Sequence, residues 1–148
     1  MKRKLFAVFC VTALAISSAS ASDIVGKATH IVDGDTFDLR SDAGKVRIRI
    51  CGVDSPERGS KGYSNATEEL RALIAGRDVK CVRVGEGSIC DGRSKPTNRN
   101  RVVAQCFVEG ADVAAEMIAA GATCDWPKFS GGHYQNVGIK GVCIRGKR

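Results

Sequence analysis

The chain has 148 residues, with 23 Lys or Arg against 16 Asp or Glu and a formal net charge of +7. This length suffices for one domain with a single core, and the sequence contains no internal repeat and no second domain boundary. The mild basic excess is consistent with a polyanionic partner but does not establish one, because many basic proteins bind nothing acidic.

The N-terminal residues have the pattern of an export signal. Basic residues at 2–4 precede an apolar run at 5–16, and small residues at 19–21 offer a cleavage site. The run is short for a membrane span, which needs about 20 residues, so a signal peptide at 1–21 is favoured over an anchored helix. Cleavage removes three bases and no acid, which lowers the net charge to +4. We expect the remaining protein to be periplasmic or extracellular, without stable membrane association.

Six cysteines remain after this cleavage. An even number in an exported chain suggests disulfides, and their connectivity is open. A metal–thiolate site is the alternative, but the sequence contains no CxxC pair, so zinc is not favoured. The six are Cys51, Cys81, Cys90, Cys106, Cys124 and Cys143.

The predicted domain begins with three strands joined by two short turns. Asp33 and Gly34 form the first hairpin turn, since Gly accepts the positive φ that such turns require. Residues 41–44 form the second turn. The meander is therefore predicted from strands at 24–32, 36–39 and 45–51.

A helix follows the meander after a polar loop. Asn65 is the predicted N-cap, with Glu68 three residues later in capping-box position. Gly76 ends the helix. The apolar stripe that this helix turns towards the core is Ala66, Leu70, Leu73 and Ile74.

Two more strands and a second helix complete the predicted pattern. Strands at 79–84 and 101–108 flank a long polar loop, and Asp112 caps a helix at 113–120. The tail from about residue 122 has no clear period and stays unassigned. Five strands with a helix between the third and fourth predict a mainly β domain with flanking helices, a five-stranded OB-type barrel over residues 22–148.

The most informative stretch lies at the end of the third strand. Arg47 and Arg49 alternate with apolar residues, so they share one face of the strand. Asp54 and Glu57 follow at once, on a loop that Pro56 stiffens. Arginines on a rigid strand beside two carboxylates suit a site that holds a phosphate and a divalent cation together.

Other residues could complete such a site. Asp35 could simply be part of the hairpin turn, or it could point back towards Asp54 and create an oxygen-rich site suited to calcium. Glu57 could brace its turn, act as a general base on water, or hold a water on the metal. Arg101 opens a strand at the barrel rim, where a ligand would lie, and Arg99 competes for that role as Arg47 competes with Arg49.

Three motifs together resemble the staphylococcal nuclease (thermonuclease) family. They are Val-Asp-Gly-Asp-Thr at 32–36, Arg-Ile-Cys-Gly-Val-Asp-Ser-Pro-Glu at 49–57 and Arg-Val-Val-Ala at 101–104. Their order and separations agree with the family over about residues 24–121. The resemblance implies an OB barrel with calcium-dependent phosphodiesterase activity on DNA and RNA, which leaves 3′-phosphate ends.

The resemblance also implies a role for each matching residue. Two carboxylates and a backbone carbonyl would bind calcium, two arginines would bind phosphate and stabilise the transition state, and one glutamate would be the general base. These are Asp35, Asp54 and Ser55 for the metal, Arg49 and Arg101 for the phosphate, and Glu57 for the base.

The chain also differs from the family pattern. The residues before Arg101 lack the family's tyrosine, and Asn100 stands where glycine is usual and can adopt left-handed geometry. Candidate substrate-binding residues are Arg99 and two aromatics of the tail, Trp126 and Tyr134. The aromatics could stack bases or simply cover the barrel end.

Two further expectations concern pairing and function. Cys81 and Cys106 fall on the fourth and fifth predicted strands, as in exported cysteine-containing relatives, and form the expected disulfide. The expected substrate is single-stranded DNA or RNA. The alternatives are a non-catalytic OB-type nucleic-acid-binding module and a secreted, disulfide-rich structural domain, although the latter leaves the joint spacing of the motifs unexplained.

Overall fold

A computed structural model describes residues 23–137 as a mainly β fold with a closed five-stranded barrel and three short helices. The predicted signal peptide at 1–21 and the end of the tail at 138–148 lie outside the described residues. Within 23–137, no helix has the length and apolar character needed to cross a membrane. In chain order the elements are β1 Ile24–Asp33, β2 Thr36–Ser41, β3 Gly44–Ile50, β4 Val53–Asp54, α1 Tyr63–Ile74, β5 Asp78–Arg83, β6 Thr97–Asn98, β7 Arg101–Val108, β8 Ala111–Asp112, α2 Val113–Ala119, β9 Cys124–Asp125 and α3 Pro127–Ser130.

The barrel closes through one parallel pairing. Strands run in the order β3-β2-β1-β5-β7 with antiparallel neighbours, and β3 then pairs in parallel with β7. In this closing pair Arg49 lies opposite Val103. Arg101, the first residue of β7, is thereby brought close to β3. The predicted meander and OB-type barrel are confirmed.

The core lies between the barrel wall and one face each of α1 and α2. Alternate residues of the strands point inward, as the period of two requires. Ala66, Leu70 and Ile74 of α1 are fully buried, as predicted, and Leu73 is only partly buried at the edge of the core. The largest apolar strand residues in this core are Phe37, Leu39, Ile48, Ile50 and Val79.

Gly34 has a different role from the predicted one. Asp33 pairs with Thr36, so the two loop residues of this hairpin are Gly34 and Asp35, and Gly34 has no positive φ. A Cβ at this position would lie 2.1 Å from Ser55 Oγ and 2.6 Å from Ala66 Cβ. Glycine is required because the loop after β3 and helix α1 both pack directly against the hairpin.

The two long helices begin in different ways. The prediction of Asn65 as N-cap is wrong, since α1 starts at Tyr63 after Gly62, which has φ 91° and no capping side chain. Asn65 is consequently exposed inside the first turn. The prediction for α2 is confirmed, because Asp112 Oδ1 accepts hydrogen bonds from Ala114 N at 2.9 Å and Ala115 N at 3.4 Å.

Two disulfides lie within the described residues. Cys81 and Cys106, the predicted pair, are directly opposite each other on β5 and β7. Cys51–Cys90 joins the residue after β3 to the loop between β5 and β6. Both disulfides are buried, and such bonds are typical of proteins that function outside the reducing cytoplasm.

Part of the unassigned tail is folded against the barrel. β9, Cys124–Asp125, pairs antiparallel with β4, Val53–Asp54, so that Asp54 lies opposite Cys124. The short helix α3 follows. The sequence could not indicate this pairing, because both strands have only two residues and lie about 70 residues apart.

Candidate active site

Most of the predicted site residues line one cavity of about 480 Å³. Three parts of the chain form much of its wall: the β1–β2 turn, the loop after β3, and the β6–β7 hairpin. All residues predicted for catalysis and metal binding contribute to it. They are Asp35, Arg49, Asp54, Ser55, Glu57 and Arg101.

Asp35 is the buried carboxylate of this cavity. Its Oδ1 accepts a hydrogen bond from Thr36 Oγ1 at 2.9 Å, and its Oδ2 accepts one from Ser55 N at 3.2 Å. Burial raises the pKa of Asp35 to about 6, while Arg49 opposes this rise and Asp33 adds to it. The carboxylate is therefore held in place, but its negative charge is only partly compensated.

Arg49 supplies the main compensation. Its Nη2 lies 3.0 Å from Asp35 Oδ2 and donates to the carbonyl of Val53 at 2.8 Å. Its Nη1 donates to the carbonyl of Ile50. The two hydrogen bonds and the ion pair fix the guanidinium at the cavity wall.

Arg101, the first residue of β7, lines the same cavity. Its Nη1 donates to Thr36 Oγ1 at 3.4 Å and its Nε to the carbonyl of Asn98 at 3.4 Å. Thr36 thus lies between Arg101 and Asp35, and contacts both. Arg99 does not reach this cavity. It occupies the tip of the hairpin with φ 56°, so Arg99, and not Asn100, adopts the left-handed conformation.

The loop after β3 supplies the remaining oxygen atoms. Asp54 is half-buried, and its strand is held by the pairing with β9. Glu57 is exposed at the mouth of the cavity. Ser55 is buried, and its Oγ has no hydrogen-bond partner within residues 23–137. A solvated Glu57 suits contact with water better than close ligation of a cation.

These residues are compatible with a hard divalent cation. Asp35 and Asp54 are carboxylates on the wall of one cavity, and Ser55, for which the resemblance implies a role through its backbone carbonyl, lines the same cavity. Oxygen donors of this kind are the ligands that calcium prefers. Residues 23–137 contain no cluster of three or more His, Cys, Asp or Glu arranged for a metal. A cation in this cavity would therefore be bound by two carboxylates and by other oxygen atoms.

The predicted aromatic residues separate into two groups. Trp126 is half-buried and lines this cavity. Tyr134 is only 1 % exposed, and its hydroxyl donates to Asp112 Oδ2 at 2.9 Å. Burial raises the pKa of Tyr134, with the Asp112 charge adding to the effect. The prediction that Tyr134 contacts substrate is therefore wrong, because its ring packs in the core and stabilises the cap of α2.

Sequence reasoning did not identify two residues of the cavity wall. Asp33 Oδ1 accepts a hydrogen bond from Asp35 N at 3.1 Å and so shapes the turn. Tyr63 donates from its hydroxyl to the carbonyl of Val32 at 3.2 Å, which joins the start of α1 to β1. The only signal for Asp33 was its place in the Asp-Gly-Asp motif, and Tyr63 had none.

Comparison with known proteins agrees with this architecture. No protein-family model matches the chain. An uncharacterized endonuclease of Escherichia coli O157:H7 is 33% identical over 110 residues, which cover 74% of this chain and 65% of that protein. Micrococcal nuclease of Shigella flexneri is 32% identical over 76 residues, covering 51% of this chain and 44% of that protein.

A third relative is not named as a nuclease. Protein ParB of Escherichia coli is 30% identical over 83 residues, which cover 53% of this chain and 47% of that protein. The chain thus spans about half to two thirds of the length of these curated relatives. Taken with the closed five-stranded barrel, these similarities support a staphylococcal nuclease-like family for this chain.

Proposed function

We propose that this protein is an exported, calcium-dependent nuclease that hydrolyses phosphodiester bonds of DNA, RNA or both. One observation carries the proposal: carboxylates and guanidiniums from three separate sequence motifs line a single cavity. The similarities to an endonuclease and to micrococcal nuclease support the same reaction class. The two buried disulfides support export.

The proposed reaction is hydrolysis at phosphorus. Glu57 accepts a proton from a water molecule, and the water oxygen bonds to phosphorus. The bond to the 5′ oxygen breaks, and that oxygen takes up a proton from solvent. The products are a 3′-phosphate and a 5′-hydroxyl, as the family resemblance implies.

The arginines act on the charge that this reaction builds. Negative charge grows on the non-bridging oxygens of the phosphate in the transition state. Arg49 and Arg101 line the cavity from two neighbouring strands and are already held by hydrogen bonds, so little reorganisation is needed. Fixed donors of this kind stabilise the transition state more than the ground state.

The cation is proposed to bind beside the arginines. When bound, calcium would offset phosphate charge, with Asp35, Asp54 and the Ser55 carbonyl as its protein ligands. The ion pair between Arg49 and Asp35 is compatible with this role. An ionised carboxylate offers two oxygens with about four lone-pair sites, so Asp35 can form an ion pair with Arg49 and also ligate a cation.

The direct test is cleavage of single-stranded DNA by the purified protein with calcium, and again with a chelator. We expect cleavage that stops on chelation and falls at least about 10²-fold in Glu57→Gln. Glu116→Gln is the matched control, because Glu116 is exposed on α2 and does not line this cavity. The products should have a 3′-hydroxyl only after a phosphatase has removed the 3′-phosphate.

Two outcomes would contradict the proposal. Cleavage that survives both chelation and Glu57→Gln would exclude the proposed mechanism. Tight binding of single-stranded nucleic acid without any cleavage under these conditions would instead support the non-catalytic OB-type binding module.

A further inference from the structure

Cys124 is the fifth cysteine of the described residues, and it too takes part in a disulfide. The two disulfides within 23–137 account for four of the chain's seven cysteines. The cysteines of this chain that could supply the partner of Cys124 are Cys10 and Cys143, and both lie outside residues 23–137.

Cys10 and Cys143 differ in what export does to them. Cys10 lies in the apolar run at 5–16, which the predicted cleavage removes with the signal peptide. Cys143 stays in the exported chain, where the surroundings favour disulfides over free thiols. The cysteine count after export therefore points to Cys143 as the partner of Cys124.

Cys124 lies where a covalent bond can act on the candidate active site. It is a buried residue of β9 and lies directly opposite Asp54 on β4. Both strands have only two residues, and a two-stranded sheet is marginally stable at best when it depends on its own hydrogen bonds. The position of Asp54 therefore depends on what holds β9 against the barrel.

The residues after β9 pack on the loop that leads into β4. The backbone N–H of Trp126 donates to the carbonyl of Gly52 at 2.8 Å. A Cβ at Gly52 would lie only 3.2 Å from Tyr134 Cε2, so the ring of Tyr134 is in close contact with this loop. The segment after β9 is thus anchored at Tyr134, and a disulfide at Cys124 would fix the end that faces Asp54.

We propose that Cys124 and Cys143 form a third disulfide, which braces β9 against β4 and so positions Asp54. The two thiols lose two protons and two electrons as the S–S bond forms, and a disulfide-containing oxidant is reduced to two thiols. The bond closes residues 124–143 into one loop that includes Tyr134. Such a loop has fewer open conformations, so β9 detaches from β4 less often.

The two parts of this inference have different foundations. The disulfide follows from the state of Cys124 and the number of cysteines. The effect on calcium rests on the proposed function, because it takes Asp54 as a metal ligand. Asp54 would touch the cation, whereas Cys124 and Cys143 would act only through the position of β4.

Disulfide mapping of the purified exported protein tests the pairing. The chain is digested without reductant by trypsin and a glutamate-specific protease. The cleavage sites that isolate the two cysteines are Glu116, Lys128, Lys140 and Arg145. The peptide 117–128, which contains Cys124, should be joined to the peptide 141–145 and be released by reduction. A bond from Cys124 to any other cysteine, or to Cys124 of a second copy, would overturn the inference.

The variant Cys143→Ser removes the bond and alters no described residue. Hydrogen–deuterium exchange at residues 53–54 should become at least about 10-fold faster, because loop closure no longer limits the opening of β9. Exchange in β5 and β7 should stay near the wild-type rate. An equal increase across the whole barrel would overturn the bracing role, since general destabilisation would then explain it.

The matched control is Cys81→Ala/Cys106→Ala. It removes a disulfide that spans 25 positions and joins β5 to β7, and neither cysteine lines the candidate active site. Exchange should rise most in β5 and β7 in this variant, and less at residues 53–54. The same distribution of exchange in the control and in Cys143→Ser would overturn the specific link between Cys124 and β4.

Calcium binding separates this inference from the proposed function. Titration calorimetry should show a Kd about 10-fold higher in Cys143→Ser, as for other changes to groups that position a metal ligand, and a nearly unchanged Kd in the control. If the wild-type protein binds no calcium, the calcium-dependent function fails, and mapping and exchange still decide the disulfide and its bracing role. If it binds calcium and Cys143→Ser binds equally well, the positioning of Asp54 fails while the nuclease proposal stands.

Discussion

Arg47 and Arg49 of β3 each pair with an aspartate, one on β2 and the other in the β1–β2 turn, and the surroundings of the two pairs differ. Arg47 lies directly opposite Asp38 and donates to both of its oxygens, at 2.7 and 3.2 Å. Arg49 lies opposite Thr36 and reaches past it to Asp35 in the hairpin turn. The same strand thus carries one guanidinium, of Arg47, that is paired with both oxygens of a carboxylate, and another, of Arg49, that lines a cavity.

The pKa values of Asp38 and Asp35 are shifted in opposite directions. Hydrogen bonds from Arg47, with a smaller contribution from Lys45, lower the pKa of Asp38 to about 2. Burial raises the pKa of Asp35 to about 6 despite Arg49. The Asp38 pair therefore stabilises the fold, whereas the Asp35 pair keeps an incompletely compensated carboxylate beside a cavity, as a binding site requires.

The largest expected contrast is in catalysis. Arg49→Gln should lower kcat/KM for single-stranded DNA about 10²- to 10³-fold, because a fixed donor to the transition state is lost. Arg47→Gln should leave kcat/KM close to the wild-type value and lower the free energy of unfolding instead. Steady-state kinetics and urea unfolding of both variants check this pair. Equal activity losses would remove the distinction between the two arginines.

The next contrast concerns calcium. At about 100 times its Kd, calcium should raise the free energy of unfolding by about 2.7 kcal/mol. Asp54→Asn should abolish this increment, and Asp38→Asn should retain it, although both variants remove one carboxylate. Urea unfolding with calcium and with chelator measures the increment. Its persistence in Asp54→Asn would exclude Asp54 as a ligand.

A third contrast is in the pH dependence of stability. The folded pKa of Asp38 is below its ordinary value, so the stability it provides is present above about pH 4 and is lost as pH falls through about 2. Asp38→Asn should therefore cost about 2 kcal/mol at pH 7 and almost nothing near pH 2. Chemical unfolding at several pH values tests this, and a pH-independent difference would contradict it.

The smallest effect separates the two cations that contact Asp38. Lys45 Nζ lies 2.8 Å from Asp38 Oδ2, but its side chain is 57% exposed. Lys45→Gln should cost less than about 1 kcal/mol, since solvent screens exposed ion pairs. Urea unfolding at pH 7 measures this cost beside that of Arg47→Gln. A larger loss for Lys45→Gln would reverse the assignment of Arg47 as the main partner.

The sequence predicted features whose determinants are local. Strand β7 has the predicted bounds, 101–108, and Asp112 caps α2, because alternation and capping act within a few residues. Much of the cavity could be anticipated for the same reason, since Arg49, Asp54 and Glu57 lie within nine residues.

Features that depend on distant packing have no pattern in the neighbouring residues, and the grouping of Arg49 with Arg101 was expected mainly from the family resemblance. Arg49 and Arg101 share a cavity only because β3 pairs in parallel with β7, a pairing that leaves no local signal. Tyr134 is buried because it reaches Asp112, 22 residues earlier. The Asp-Gly pair predicted a positive φ at Gly34, but glycine is required there because Ser55 and Ala66 leave no room for a Cβ. Each of these features depends on contacts that exist only in the folded barrel.

The crossed arrangement of the two disulfides has a consequence for proteolytic damage. The exposed backbone around Gly92 and Lys95 lies between Cys90 and Cys106 in the chain. A protease that cut there would produce two fragments still linked through Cys81–Cys106, while Cys51–Cys90 would hold the new end against the barrel. A nicked molecule would therefore migrate as one species until reductant was added.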